Sequence, residues 1–282
     1  MFGDKFLYKN KILRSIVLPV LKLVEKDVTI RHHWTEDKIL LNLFRHKGYW
    51  FHGKNREKLE MLAIKSLVND GDIVAEVGGH IGYLSLWFLK CCANTSGGAL
   101  FVFEPGTNNL PYLKANLKNS GAVIIESGCG EKNGKFEFYM DDLTGQNNSF
   151  VKDFTGLSDN SKMASGVDVK VTTEIMSVIR LDEYFTDIQP NFIKIDTEGF
   201  EYSVLRGAEG LLYPGKHFPI FMIEVQADQV EIFEYFTSRG YYIFNVHQKQ
   251  ITVPSEMHLN LFVLHPKYHA SKIEHWKLKA NA

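Results

Sequence analysis

The residues best suited to do chemistry in this chain are carboxylates set at the ends of apolar runs. The stretch 193–201 reads IKIDTEGFE, so an apolar strand delivers Asp196 and Glu198 to its end, Glu201 follows, and Gly199 lets the chain turn into a helix. Glu224 stands near the end of a second such run, FMIEVQ. Charge is rarely built into an apolar run without a partner, so Glu224 is paired, metal-bound or catalytic. Two earlier runs end in the same way. IVAEVGGHIGYLSL, residues 73–86, places Glu76 just ahead of Gly78, Gly79 and Gly82, and ALFVFE, residues 99–104, ends on Glu104. Glycines after a buried strand let the backbone approach a ligand closely, and a helix opening there turns its unpaired N–H groups and positive dipole end toward that ligand. Glu104 follows Gly82 by 22 residues, about the distance at which such folds hydrogen-bond ribose hydroxyls.

The glycine spacing narrows the ligand. Gly78, Gly79 and Gly82 depart from the dinucleotide pattern G-x-G-x-x-G and give acidic-x-Gly-x-x-x-Gly instead. A carboxylate at Glu76 would repel a pyrophosphate but suits the ammonium or sulfonium of S-adenosylmethionine, which moves the expectation from hydride transfer to methyl transfer. A hydroxyl acceptor then needs a base within hydrogen-bond reach. Asp196 is the first candidate, with Glu198 and Glu224 next. The sulfonium loses its charge in the transition state, so the base should face the acceptor oxygen, not the sulfur. Structural alternatives are a helix cap for Asp196 and a buried pair with Lys194 or Arg206 for Glu224. A divalent metal on Asp196 and Glu224 is chemically conceivable, but no dedicated cage stands in the sequence.

Elements that alternate strand and helix must position these groups. Strands are predicted near 73–78, 99–104, 122–127, 191–196, 219–225, 241–246 and 259–264, and helices over 59–68, 82–92, 108–119, 200–212 and 228–239. Repeated β-α units imply an α/β sheet, mostly parallel, with ligands outside the carboxyl ends of its strands. The last two strands follow each other without a helix, which predicts an antiparallel edge. KFEFYM, residues 135–140, reads as an inserted strand with 167–173 as its partner. Residues 141–166 between them form either a lid or a disordered excursion.

The chain's 282 residues suit one α/β domain, residues 56–282, behind an N-terminal appendage of residues 1–55. In that appendage Lys5, Lys9, Lys11, Arg14 and Lys22 alternate with Phe6, Leu7, Ile12, Leu13, Ile16 and Leu21. This fits a helix packed on the body or on another subunit, or a basic surface resting on anionic lipid. A net charge of −1 argues against a nucleic-acid partner, which would need a basic stripe. Cys91, Cys92 and Cys129 form no C-x-x-C pair, and Pro19 and Lys22 interrupt the apolar stretch 16–24, so a reducing, cytoplasmic setting without a membrane span is expected.

AEVGGHIGYLSL, FVFEPGTNNLPYLKANL, ESGCGEKNGKFEFY and FIKIDTEGFEYSVLRGA, taken in order, resemble the successive motifs of the FkbM-type S-adenosylmethionine-dependent O-methyltransferases over residues 59–264. The resemblance implies a Rossmann-like class I fold with a seven-stranded sheet of order 3-2-1-4-5-7-6. It also implies cofactor contacts from Glu76, Gly78 and Gly82 at the methionine end, Glu104 at the ribose, and Gly130 with Glu131 at the adenine edge, with Gly79, His80 and Tyr83 among the cofactor-binding residues. Asp196 and Glu198 would lie near the transferred methyl group. The chain departs from the family at Glu76, where Asp is usual, at Gly79-His80, where Ala-Asn is usual, and at Gly130-Glu131, where Ser-Asp is common. The implied activity is methylation of a hydroxyl on a sugar, glycan or glycosylated small molecule. A lipid or protein acceptor, or a cofactor-binding subunit without turnover, are the alternatives.

Overall fold

The computed structural model describes residues 22–95, 97–142, 144–152, 154, 170–212, 218–226 and 229–280. The basic stretch 1–21 and residues 155–166 of the long loop lie outside them. The described chain starts with an antiparallel hairpin, β1 (Asp27–Arg31) and β2 (Lys38–Asn42), followed by helices α1 (Lys47–His52) and α2 (Lys58–Leu67). The expected alternation follows: β3 (Ile73–Val77), α3 (Tyr83–Cys92), β4 (Ala99–Phe103), α4 (Leu110–Asn116) and β5 (Val123–Ile125). Then β6 (Gly128–Cys129), β7 (Gly134–Asp141) and β8 (Val171–Ile179) form a separate three-stranded sheet of order β6-β8-β7. The inserted strand and its partner thus pair antiparallel; of the expected partner 167–173, residues 171–173 fall in β8 and 167–169 lie outside the described residues. The chain returns through α5 (Leu181–Tyr184), β9 (Phe192–Ile195), α6 (Glu201–Arg206), β10 (Ile220–Val225), α7 (Val230–Thr237), β11 (Tyr242–Asn245), β12 (Gln250–Ile251), β13 (Leu259–Leu264) and α8 (Ala270–Ala280). Among the described residues no helix is long and apolar enough to cross a membrane.

The main sheet has eight strands, not seven, in the order β12-β11-β13-β10-β9-β3-β4-β5. From β5 to β11 it follows the order 3-2-1-4-5-7-6; β12 is the addition. After β11 the chain turns tightly, with Asn245 N–H donating to the Lys249 carbonyl at 3.0 Å, and lays Gln250–Ile251 antiparallel beside it. Two residues are too few for a periodic pattern, which is why the sequence does not announce this edge. The strands from β5 to β10 pair parallel, and β13 runs antiparallel between β10 and β11.

Alternation along each strand fills both faces. Val74, Phe192, Met222 and Phe262 point to one apolar layer, and Ala75, Ile193, Phe221 and Val263 to the other. Residues 22–55, expected as an appendage, contribute Ile39, Leu41 and Tyr49 to the first of these layers. They also bind α4 by polar contacts: the Asn116 side chain accepts from Leu40 N–H at 2.6 Å and donates to the carbonyls of Leu40 and Ile81 at 3.0 and 2.7 Å. The helix predicted over 200–212 stops at Arg206 and resumes as a single turn, Glu209–Leu211. Between them a Cβ on Gly207 would lie 2.0 Å from the Gly130 carbonyl oxygen, so the backbones meet there without room for a side chain.

Candidate active site

Strand alternation and register set a row of charges on one sheet face, at the carboxyl ends of β3, β9 and β10. Glu76 shares its face with Val74, Lys194 with Phe192, and Glu224 with Met222. Pairing places Glu76 opposite Lys194, and Asn260 opposite Glu224. Lys194 is 3% exposed. Its ammonium donates to the Gly78 carbonyl at 2.7 Å and lies 3.1 Å from Asp196 Oδ2 and 4.0 Å from Glu76 Oε1. Burial alone would discharge a lysine, but Asp196 and then Glu76 outweigh it and hold the ammonium above its ordinary value. Glu76, 1% exposed, accepts from Ser85 Oγ, and burial pushes its carboxyl up to about 7.

Asp196 continues from β9 into the cleft. Burial works to raise its pKa, yet Lys194 and a hydrogen bond with Glu224 bring it below the ordinary value, so it is the ionised member of the group. Glu224 is held far above its ordinary value by the Asp196 charge and by burial, so it keeps its proton and can donate a hydrogen bond to Asp196. Burial, then Asp196 and Glu201, also raises Glu198. Asp196, Glu198 and Glu224 each offer an oxygen, and these lie within 4.8 Å of one another, close enough to share a divalent cation. The helix cap considered for Asp196 is not formed among the described residues. No side chain caps α6. Instead Glu201 reaches back from α6 to accept from Thr197 N–H at 2.9 Å, Thr197 Oγ1 at 3.1 Å and Gly199 N–H at 3.0 Å. That brace holds the turn in which Glu198 adopts φ 54°, a left-handed conformation unusual for a glutamate.

The glycine turn is built by close approach. At φ 84°, a Cβ on Gly78 would sit 1.9 Å from the Asp196 carbonyl oxygen, and one on Gly79 would sit 2.2 Å from Val102 Cγ1. Glu104 fastens this turn to the next: Oε2 accepts from His80 N–H at 2.7 Å, and Oε1 from Gly106 N–H at 2.8 Å and Asn109 Nδ2 at 3.2 Å. Three of about four lone-pair positions are thus filled, leaving one for a ribose hydroxyl. His80 is neutral, its pKa lowered to about 4 by burial. Nε2 lies 3.1 Å from the Thr144 carbonyl, which can only accept, so Nε2 carries the proton and Nδ1 accepts from Tyr49 Oη at 2.9 Å. Both ring nitrogens are therefore engaged within the protein.

The described part of the loop after β7 walls this cleft. Asp141 ties it down by accepting from Thr144 N–H, Thr144 Oγ1 and Gly145 N–H, and Asn109 Nδ2 donates to the Gly145 carbonyl at 3.0 Å. Two compartments result. One, with about 510 Å³ of empty space, has Phe103, Cys129, Phe138 and Phe150 as apolar walls and Glu104 at its edge. The other, about 790 Å³, is lined by charge: Arg56, Glu57, Glu76, Lys194, Asp196 and Glu224. Gly78, His80, Gln146, Asp196 and Glu198 border both. A slot with apolar walls and Glu104 at its edge, beside a charged chamber, matches an adenosine joined to a charged thioether tail.

Of the expected residues, Glu76, Gly78, Gly79, His80, Tyr83, Glu104, Asp196, Glu198 and Glu224 border these compartments. Gly82 stands just behind, at φ 86°, as the residue before α3. Gly130 and Glu131 do not border them. Gly130 packs toward Phe200, Val178 and Ser203, and Glu131 lies 3.7 Å from Arg206, because the chain has already turned into the side sheet; Gly128 and Cys129 take the bordering position. Arg56, Glu57, Tyr49 and Gln146 border the site without having been singled out. They sit in segments without periodicity, and only the consecutive Arg56-Glu57 pair could have drawn notice.

A parallel sheet in this order, with a glycine turn after its first strand and an acidic residue after its second, defines a Rossmann-like α/β cleft of the class I methyltransferase kind. The family model described as "Methyltransferase FkbM domain" matches residues 76–243, and the chain belongs to that methyltransferase family, whose methyl donor is S-adenosylmethionine. Among solved structures, a methyltransferase FkbM from Methylobacillus flagellatus KT is similar at 18% identity, over 71% of this chain and 48% of its own, with a TM-score of 0.45. This chain therefore spans about half the length of that protein. Aeropyrum pernix fibrillarin in complex with natively bound S-adenosyl-L-methionine is similar at 11% identity, over 73% of each chain, with a TM-score of 0.40. The Methanococcus jannaschii fibrillarin pre-rRNA processing protein is similar at 15% identity, over 85% of this chain and 81% of its own, with a TM-score of 0.39. No curated protein matches.

Proposed function

We propose that the chain methylates a hydroxyl of a sugar, glycan or glycosylated small molecule, with Asp196 as the general base. S-Adenosylmethionine, when bound, supplies an electrophilic methyl group on a sulfonium. Phe103, Cys129, Phe138 and Phe150 would enclose its adenine, Glu104 would accept from its ribose, and Gly78 and Gly79 would give its tail room beside the backbone. The observation that carries the assignment of the base is the position of Asp196. It borders both compartments and is kept ionised by Lys194 at 3.1 Å. A hydroxyl proton released as the oxygen is alkylated therefore has an acceptor already in place, and Glu224, protonated and hydrogen-bonded to Asp196, holds that carboxylate in orientation. The polar and charged lining of the larger compartment, which Asp196 borders, suits a polyhydroxyl acceptor better than a lipid chain.

The test is incubation with S-adenosylmethionine and panels of glycosides, lipids and peptides, followed by mass analysis for one added methyl group. Asp196→Asn should lower turnover by about 10² to 10⁴ while S-adenosylhomocysteine affinity changes only a few-fold. Full turnover in that variant would remove Asp196 from the role, and methylation of lipids or peptides alone would overturn the saccharide reading.

A further inference from the structure

We infer that Arg56 and Glu57, with Tyr83, hold the amino-acid end of S-adenosylmethionine. The inference rests on the function proposed above and names residues ahead of the strand–helix repeat as part of its site. An amino-acid end carries a carboxylate and an ammonium a few bonds apart, and an opposed pair of charges at similar spacing is its natural complement. Arg56 Nε and Glu57 Oε1 lie 3.1 Å apart, and both residues line the larger compartment beside Gly78 and Gly79. The arginine is positioned: its guanidinium lies 4.0 Å over the Tyr49 ring, and a Cβ on Gly48 would come within 2.7 Å of Nη1. The glutamate is held at φ 52°, immediately before α2, a left-handed conformation that a structure keeps only when its surroundings impose it.

Two side-chain oxygens of this wall lack a hydrogen-bond partner among the described residues, Glu57 Oε2 and the Tyr83 hydroxyl, while Arg56 Nε has only its ion pair with Glu57 Oε1. Tyr83 is 2% exposed and is the first residue of α3, so the amino end of that helix opens on the same compartment. Buried polar groups are nearly always satisfied, which makes this pair a place where a ligand completes the network. The other candidates for the amino-acid end are already committed. Glu76 is engaged by Ser85 and Lys194, both ring nitrogens of His80 have partners, and the Lys194 ammonium is surrounded by three oxygens. In this wall a ligand carboxylate finds the Arg56 guanidinium and the unpartnered Tyr83 hydroxyl, and a ligand ammonium finds the unpartnered Glu57 Oε2.

The experiment is calorimetric titration of the full chain with S-adenosylhomocysteine and with 5′-methylthioadenosine, which keeps the nucleoside and thioether but lacks the amino-acid end. The unaltered chain should prefer the former by about tenfold or more. Arg56→Met keeps the apolar stem over Tyr49 and removes the charge; it should weaken S-adenosylhomocysteine by about tenfold and methylthioadenosine by less than about twofold. Tyr83→Phe removes a hydroxyl without a hydrogen-bond partner among the described residues, so it should fold, and it should weaken S-adenosylhomocysteine alone, by about threefold. Equal losses for both ligands, or no loss of S-adenosylhomocysteine affinity in either variant, overturns the inference. Should Arg56→Met not fold, Tyr83→Phe and the ligand preference of the unaltered chain decide, and a preference near unity overturns it. If the unaltered chain binds neither ligand, the proposed function falls and takes the inference with it, a result distinct from an unselective variant.

Discussion

Replacing Glu76 by glutamine should stabilise this protein at pH 8 and leave its stability unchanged at pH 4.5. The carboxyl is buried on β3, and burial moves its pKa from the ordinary 4.5 to about 7, against the opposing pull of Lys194 and Ser85. Because the folded-state value lies above the unfolded one, the native state retains a proton between about pH 4.5 and 7 that the unfolded chain releases. Stability from this group is therefore complete below that window and lost through it as the pH rises, by roughly 3 kcal/mol in total. Glutamine keeps the acceptor for Ser85 Oγ and has nothing to ionise. Lys194 loses a neighbour at 4.0 Å but keeps Asp196 at 3.1 Å and the Gly78 carbonyl at 2.7 Å. The other carboxyls raised by burial titrate in both proteins and cancel in the comparison. Urea unfolding of both chains at half-unit steps from pH 4.5 to 8 measures the effect. The curves should coincide at the acid end and separate by about 3 kcal/mol, glutamine the more stable, at the alkaline end. Parallel curves, or a less stable glutamine variant at pH 8, would refute the reasoning by showing that Lys194 keeps Glu76 ionised.

Lys194→Met leaves Asp196 and Glu76 buried without their shared cation and should cost about 3 to 5 kcal/mol at pH 8, less at pH 5 where the carboxyls take up protons; pH-dependent thermal unfolding measures both. Gly78→Ala meets the Asp196 carbonyl at 1.9 Å and a positive φ together, so thermal unfolding should show a loss well beyond the roughly 1 kcal/mol of an unfavourable φ alone, and calorimetry should show S-adenosylhomocysteine binding abolished. Glu201→Ala strips the partner from the Thr197 and Gly199 N–H groups and should cost about 2 to 4 kcal/mol in urea unfolding, with turnover falling as Glu198 and Asp196 lose their bracing.

Much of the main sheet was legible because each strand is a short apolar run closed by glycine or a carboxylate, and such runs carry their own period and punctuation. The antiparallel strand near one edge followed from two strands with no helix between them. The eighth strand did not, being two residues long and formed only because a tight turn returns it to β11. Gly130 and Glu131 were named on the family resemblance, and it is Gly128 and Cys129 that border the smaller compartment.

By itself the sequence determined that Asp196, Glu198 and Glu224 would gather at strand ends beside a glycine turn, since alternation and strand termination are local properties of the chain. Which of those groups is ionised, which is braced and which is committed elsewhere was decided only by tertiary structure. Lys194 meets Glu76 through the register of β3 against β9, and Arg56 with Glu57 arrives from a segment that bears no pattern. A carboxylate's charge depends on what stands within a few ångströms of it, and those distances are set by pairing between segments more than a hundred residues apart.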